Sequence, residues 1–354
     1  MTRSRGRGED IRRYILENVA KNPNDISRET AKKFGITRQA VNKHLQRLTA
    51  ENALTETGKT RGRAYKLCPL LEWRQMYKIS PELAEDVIWT NDIRAVLGQL
   101  PDNAMNIWHY GFTEMFNNAI DHSGSRDIFV SIRKTAADTE MLVMDDGVGI
   151  FKKIQLALGL LDESHAIFEL HKGKLTTDPQ NHTGEGIFFT SRMFDSFDIL
   201  SGGVFFSHQF GSPEDWLLER DRSSAGTTVW MKLHNHTART ARKIFDQYST
   251  GDDYGFNKTV VPVKLAKYGN DQLISRSQAK RLLARVELFK KVLLDFTGVE
   301  TIGPAFSDEI FRVFSNQHPE IELLPINANS QVKKVIQRAR GALRSDAPED
   351  PNAV

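Results

Sequence analysis

The chain has almost no cysteine: Cys68 is the only one in 354 residues. An intrachain disulfide framework is therefore excluded, and so is a cysteine-rich zinc site. Long apolar runs are missing as well. No stretch approaches the ~20 residues a membrane span needs, and basic Met1–Gly8 lacks the apolar run of a secretory signal behind it. The expected compartment is the cytosol, with no membrane partner. Strong net charge is absent too, at only +3 overall.

What remains is a soluble composition, 40% hydrophobic and 26% charged, long enough for two or three domains. The charge is unevenly placed. Residues 1–70 carry 16 Lys/Arg against 7 Asp/Glu, whereas residues 71–354 carry 32 against 38. A basic N-terminus on an acidic body suits either a polyanion partner or a plain solvated tail.

Within residues 1–70 the periodicity predicts three helices and a hairpin. Asp10 to Lys21 puts Ile11, Tyr14, Ile15 and Val19 on one face, and Asn22-Pro23-Asn24 breaks it. Ser27 can cap a second helix that Gly35 ends, and Thr37 caps a third from about Arg38 to Glu51. The third buries Ala40, Val41, His44, Leu45 and Leu48, and shows Arg38, Gln39, Asn42, Lys43 and Gln46 outward. Two helices about a Gly turn can place the second in a major groove, where Arg, Gln and Asn reach base edges. Short strands at 53–56 and 64–67 flank a cationic tip with Lys59, Arg61 and Arg63, suited to phosphates. The run Ile36 to Leu48 resembles the recognition helix of winged-helix transcription regulators, over residues 9–68. The resemblance implies binding to double-stranded DNA; a winged helix used for protein contacts is the alternative.

Residues 71–240 hold the candidate chemistry. From Trp73 to Asn103 the pattern reads as mixed helix and loop without a motif. In the helix that follows, Glu114 and Asn118 are four apart and share one face. An amide oxygen can ligate a hard cation, and a carboxylate one turn away can orient a nucleophile. The strand Ile128–Arg133 is followed by Met141–Met144, which runs into Asp145-Asp146-Gly147-Val148-Gly149. That sequence sets a carboxylate beside a backbone able to approach a planar ligand. A long segment, Phe151 to His182, contains Lys172 and Lys174, either of which could pair with a phosphate. It ends at Thr183-Gly184-Glu185-Gly186, where a helix begins with free N–H groups suited to phosphates. Ala225-Gly226-Thr227 then enters a last strand.

In that order and spacing, residues 105–233 resemble the GHKL family of gyrases, MutL and histidine kinases. The resemblance implies an α/β sandwich binding ATP with Mg²⁺. Asn118 would hold Mg²⁺, Asp145 the adenine amine, and Gly147 and Gly149 would line the base pocket. Gly184 and Gly186, with Thr183, would cradle phosphates; Thr227 would support the adenine side; Glu114 would be the general base. His122 also matches the serine kinases of the family, or is simply a histidine at a helix C-terminus. No helix bearing a phosphoacceptor His-Glu/Asp motif precedes this region, and His109 lies on the ATPase helix itself, so a sensor histidine kinase is not expected.

Residues 258–341 alternate strand and helix: strands at 259–265, 291–296 and 321–326, helices at 276–285, 305–314 and 331–340. The stretch Val292 to Ile302 resembles the STAS domain of anti-sigma-factor antagonists, which implies a protein partner. The serine that opens the next helix in those antagonists is missing; Gly303-Pro304-Ala305-Phe306-Ser307 brings Ser307 two or three residues late, which argues against phosphotransfer onto this domain. Residues 342–354 read as a disordered tail. The expected fold is multidomain α+β: winged helix, GHKL α/β sandwich, small STAS-like domain. The expected function is an ATP-binding, ATP-hydrolysing regulator whose nucleotide state modulates DNA binding. The alternatives are a serine kinase for a separate STAS-like protein and a GHKL ATPase acting on DNA as a homodimer.

Overall fold

The computed structural model describes residues 2–59, 62–176, 184–212, 215–250, 253–266 and 272–345. Its hydrophobic residues form two clusters, one confined to Ile11–Tyr65 and one spanning the rest.

In the first, α1 (Thr2–Asn18), α2 (Ile26–Phe34) and α3 (Arg38–Ala50) pack around Ile15, Val19, Ile26, Val41 and Leu45, and an antiparallel hairpin of β1 (Leu54–Thr57) and β2 (Ala64–Leu67) follows. Gly35 ends α2 in the left-handed region, φ 62°, and the Thr37 side chain caps α3 by accepting from the Ala40 N–H. The third helix lies where the periodicity placed it; the second starts at Ile26 with Asp25 at its N-cap, so Ser27 stands inside the helix and does not cap it. The first begins eight residues earlier than Asp10 and ends at Asn18.

The centre of the chain is a five-stranded sheet covered on one face by helices. Its strands are β3 (Leu71–Lys78), β4 (Asp127–Lys134), β5 (Asp138–Asp145), β6 (Ser196–Gln209) and β7 (Trp216–His234), in the order β3-β4-β5-β7-β6, with every neighbouring pair antiparallel. Between β3 and β4 come α4 (Glu85–Ile88), a π turn, α5 (Arg94–Leu97) and the long α6 (Asp102–His122). After β5 come α7 (Ile150–Leu158), α8 (Glu163–Lys172) and α9 (Gly186–Met193); α10 (Ala241–Tyr248) and the small pair β8 (Ser249–Thr250) and β9 (Asp253–Phe256) follow β7. Alternate residues of β4, Ile128, Val130 and Ile132, are buried, and so are Trp108, Phe112 and Phe116 of α6. Each such ring contributes on the order of 1.5–3 kcal/mol through burial. The opposite face carries a charged row, with Lys232 Nζ 2.8 Å from Glu140 and 2.9 Å from Asp138.

Two expectations for this region need correction. The stretch 73–103 is not helix and loop alone, because β3 pairs along its whole length with β4 and forms the sheet edge. The strand expected at Gly226–Met231 is a fragment of a 19-residue strand paired with the unforeseen β6. Glycines and charged residues in Ser201–Gly203 and Glu219–Ala225 interrupt the alternation there, and the register shifts at Ser201 and Gly202.

The C-terminal layer is a three-stranded parallel sheet, β10 (Lys258–Pro262), β11 (Lys291–Asp295) and β12 (Glu322–Ile326). It is covered by α11 (Arg276–Leu283), by α12 (Pro304–Asp308) continuing through a π turn into α13 (Ser315–Gln317), and by α14 (Ser330–Ser345). The strands and helices lie close to their expected positions. The last helix runs to Ser345, so residues 342–345 are not a loose tail; residues 346–354 lie outside the described residues.

The C-terminal layer grips the end of α8. Lys172 is completely buried, and its ammonium donates to Glu169 Oε1 (2.8 Å), Ala284 O (2.7 Å) and Arg281 O (3.2 Å), and lies 4.3 Å from the Phe168 ring centre. Arg285 reaches Glu169 Oε2 (3.2 Å), and Thr259 Oγ1 donates to Lys172 O (2.6 Å). Burial pushes the Lys172 ammonium below the ordinary lysine range, while Glu169 opposes that shift. Removing one member of such a group leaves the other charge buried. Lys172→Met is therefore expected to destabilise the protein by about 3 kcal/mol, the low end for a broken buried pair because Arg285 still faces Glu169. Urea unfolding at neutral pH measures it; an unchanged midpoint would show that the pair adds nothing.

Candidate functional site

One cavity, of about 270 Å³, lies between α6, the end of β5, α7 and the start of α9. Its lining includes Glu114, Asn118, Asp145, Gly184, Gly186 and Thr227, which together span more than 100 positions of the sequence. Helical spacing sets Glu114, Asn118 and His122 in a stripe along α6, and all three line the cavity.

Asp145 closes one end. Its Oδ1 accepts from the N–H of Gly147 (3.0 Å) and of Thr227 (3.2 Å), while Oδ2 makes no hydrogen bond among the described residues. Burial raises its pKa above the ordinary aspartate value against the opposing effect of those two N–H donors, and neighbouring Asp146 adds to the rise. Thr227 Oγ1 accepts from the Ile150 N–H (2.9 Å) and lies 3.4 Å from Ser201 Oγ, so it ties the start of α7 to β6 and β7. This end of the cavity thus offers a fixed carboxylate oxygen as acceptor, beside apolar Val143, Ile199 and Val229.

The other end is made by the loop into α9. Gly184 adopts φ 71°, and a side chain there would collide with the Leu175 backbone, whose N–H donates to Gly184 O (3.0 Å). Gly186 lies so close to the Glu114 carboxylate that a Cβ would overlap it. Two carboxylates act on Tyr110 nearby: after burial, Glu114 and then Glu185 push its hydroxyl far above the usual tyrosine range. Burial likewise raises the Glu185 carboxyl, with Lys174 opposing.

Several expected site residues stand elsewhere. Gly147 and Gly149 do not line the cavity. They let the turn after β5 pass behind it: a Cβ on Gly147 would overlap the Ser123 carbonyl, and one on Gly149, at φ 89°, would lie 2.7 Å from Ser201 Oγ. Lys172 is turned away from the cavity into the cage with Glu169. Lys174 donates to Leu288 O (3.0 Å) in the C-terminal layer and stands 5.0 Å from the Phe289 ring centre. Thr183 lies outside the described residues. Conversely, Lys153 lines the cavity with no motif to mark it, as do Ser123, Leu175 and Thr176.

The second expected surface is on the N-terminal helices. Arg38, Gln39, Asn42 and Lys43 are all exposed on α3, and Ser27 Oγ donates to Asn42 Oδ1 (3.2 Å). Lys59 is exposed at the hairpin, whereas Arg63 is paired with Glu56 (3.1 Å). Arg61 lies outside the described residues. His44, on the inner side of α3, has its pKa lowered by burial and by the charges of Arg12 and Arg47.

Residues 278–333 match a family described as a STAS-like domain of unknown function (DUF4325). The match runs from within α11 to the start of α14, so the C-terminal layer is STAS-like. A search of curated proteins found no match to the chain. Among the described residues no helix is long and apolar enough to cross a membrane. Ser307, considered above as a late phosphoacceptor, is fully buried, and its hydroxyl has no hydrogen-bond partner among the described residues.

The close approach of Gly186 to Glu114 yields a direct test. Gly186→Ala is expected to displace the Glu114 carboxylate and shift the α9 terminus, at a cost of about 1–3 kcal/mol for overpacking. Thermal unfolding checks the stability. A loss well beyond that range would mean that the Glu114 side chain cannot swing aside from Gly186.

Proposed function

We propose that this chain is an ATP-binding regulator that binds DNA, with a GHKL-type nucleotide site in the central layer and a winged helix at the N-terminus. The observation that carries the reading is the convergence of Glu114, Asn118, Asp145, Thr227, Gly184 and Gly186 on one cavity. The donor set fits the ligand. The unpartnered Oδ2 of Asp145 can accept from an exocyclic amine such as that of adenine. The apolar walls suit a planar base. Gly184 and Gly186 keep the loop free of side chains where phosphates would approach the N–H groups of α9. Asn118 offers an amide oxygen to Mg²⁺, which would neutralise phosphate charge when bound. Glu114, one turn away, is the base of a hydrolytic step.

DNA binding rests on the exposed side chains of α3 and on the basic balance of residues 1–70. The STAS-like layer is the surface for a protein partner. Its grip on α8 gives it a mechanical path to the nucleotide cavity, because Leu170, Leu175 and Thr176, on either side of the gripped residues, line that cavity. Buried Ser307 speaks against phosphotransfer within the chain. The test is incubation with labelled ATP and Mg²⁺: free phosphate supports the hydrolysing regulator, label on a STAS-like partner supports the kinase alternative, and no calorimetric ATP binding at all overturns the reading.

Asp145→Asn separates recognition from stability. Its amide oxygen can keep both backbone bonds but turns an N–H₂ toward the amine donor, so ATP affinity should fall by about 5–150-fold, the equivalent of ~1–3 kcal/mol. The apo protein should respond oppositely. The folded pKa of Asp145 lies above its unfolded value, so folding takes up a proton between the two, and this group's contribution declines as pH rises through that window. Removing the charge should therefore raise Tm at pH 7. Calorimetry and thermal melts test the two halves.

For DNA, Lys59→Ala should weaken binding similarly on all sequences and lower the salt slope by about one unit. Gln39→Ala or Asn42→Ala should instead relax sequence preference. Absence of duplex binding by the full chain at low salt would make the N-terminal helices a protein-contact module.

A further inference from the structure

We propose that Lys153 is the cation that recognises the nucleotide's ribose-proximal phosphate, and so makes the cavity a nucleotide site rather than a nucleoside site. The proposal rests on the nucleotide reading above and assigns a residue that no motif marks. Among the described residues that line the cavity, the carboxylates are Glu114 and Asp145, the one lysine is Lys153, and there is no arginine. A polyphosphate placed against two carboxylates needs positive charge beyond one Mg²⁺. Lys172 and Lys174 are held by the C-terminal layer, which leaves Lys153 to supply it.

The Lys153 ammonium is held in place. It donates to the His122 carbonyl (3.0 Å), at the negative end of the α6 dipole, and lies 3.4 Å from His122 Nδ1. No carboxylate pairs with it among the described residues, although the side chain is half-buried. Such a cation keeps donors available for an anionic ligand. Neighbouring Lys152 is exposed and donates instead to Gln155 Oε1 (3.0 Å), which makes it a matched control with the same charge.

Position along the cavity selects the phosphate. Glu114, against Gly186, and His122 are separated by two turns of α6, about 12 Å of rise. The His122 end adjoins Asp145, because the next residue, Ser123, packs against Gly147 and its carbonyl accepts from the Val148 N–H (2.9 Å). A nucleotide with its base at Asp145 and its terminal phosphate at Gly186 therefore passes Lys153 with its first phosphate. The γ-phosphate lies at the far end.

Calorimetric titration of the full chain with adenosine, AMP, ADP and ATP, with Mg²⁺ present for ADP and ATP, tests this. Lys153→Met should lose about 10–100-fold in affinity for AMP, ADP and ATP alike, as expected for one charge-assisted hydrogen bond, and change adenosine affinity by less than about threefold. Lys153→Arg should restore much of the loss, and Lys152→Met should behave as the parent. A Lys153→Met variant with the parent's ratio of ATP to adenosine affinity overturns the proposal while leaving the nucleotide reading standing. A loss confined to ATP overturns the positional assignment and moves Lys153 to the γ-phosphate. A parent chain that binds none of the four ligands removes the nucleotide reading itself. Unfolding midpoints for each variant identify any that fail to fold; Lys153→Gln, which keeps the stem and a donor, then replaces Lys153→Met.

Discussion

The buried ammonium of Lys172 is the contact on which the arrangement of the rest depends. A fully buried charge is tolerable only when nearly all its donors are engaged. Here the acceptors come from two layers: Glu169 on its own helix, and the carbonyls of Arg281 and Ala284 from the STAS-like layer. Neither layer can move alone without leaving charge unpaired in a dry environment. The position of α8 relative to α11 is thereby fixed, and so is the direction in which the chain leaves α8 toward the cavity.

That constraint explains the division of labour among the lysines. The backbone at Gly173 and Lys174 has positive φ, 85° and 52°, and Arg285, which binds the Lys174 carbonyl, also has positive φ at 63°. Two non-glycine residues with positive φ at one junction indicate that a specific path is being enforced, since such a conformation costs each on the order of a kcal/mol or more. The path carries Leu175 to the cavity wall, where its N–H meets Gly184 O. The loop that would meet phosphates is thus braced from behind by another layer. In the proposed function, a ligand that moves this loop must strain or release the STAS-like contact, and a protein partner on the STAS-like face acts on the loop by the same route. Reciprocity of that kind follows from linkage.

The sequence was informative where chemistry demands particular residue types. Asp145, Gly184, Gly186 and the Glu114/Asn118 pair could be located because a carboxylate ending a strand, a glycine opening a helix and an i,i+4 polar pair each restrict what can stand there. The C-terminal strands were found for a similar reason, since buried parallel strands such as Val292-Leu293-Leu294 leave few alternatives. Lys172 and Lys174 were misjudged because a lysine in a polar stretch carries no mark of its partners. The acceptors on Arg281 and Ala284 are over 100 residues away and are backbone atoms, invisible to any side-chain pattern. Strand β3 escaped because, as an edge, it buries little: only Tyr77 of its eight residues is buried, so the alternation that reveals an inner strand is weak.

The same distinction separates Gly147 and Gly149 from Gly184 and Gly186. All four belong to Gly-x-Gly pairs, and the resemblance sets both pairs in the cavity wall, the first on the base side and the second on the phosphate side. The contacts place only the second pair there. Gly147 and Gly149 permit one backbone to cross another, against Ser123 and Ser201, and so hold Asp145 at the cavity edge without touching its interior. Gly184 and Gly186 border the cavity directly, one against the Leu175 backbone and one against Glu114. A Cβ on the first pair would displace the Asp145 carboxylate, and a Cβ on the second would displace the loop that leads into α9. Both pairs therefore shape one cavity from opposite ends, and the stripe Glu114, Asn118, His122 on α6 runs along it between them.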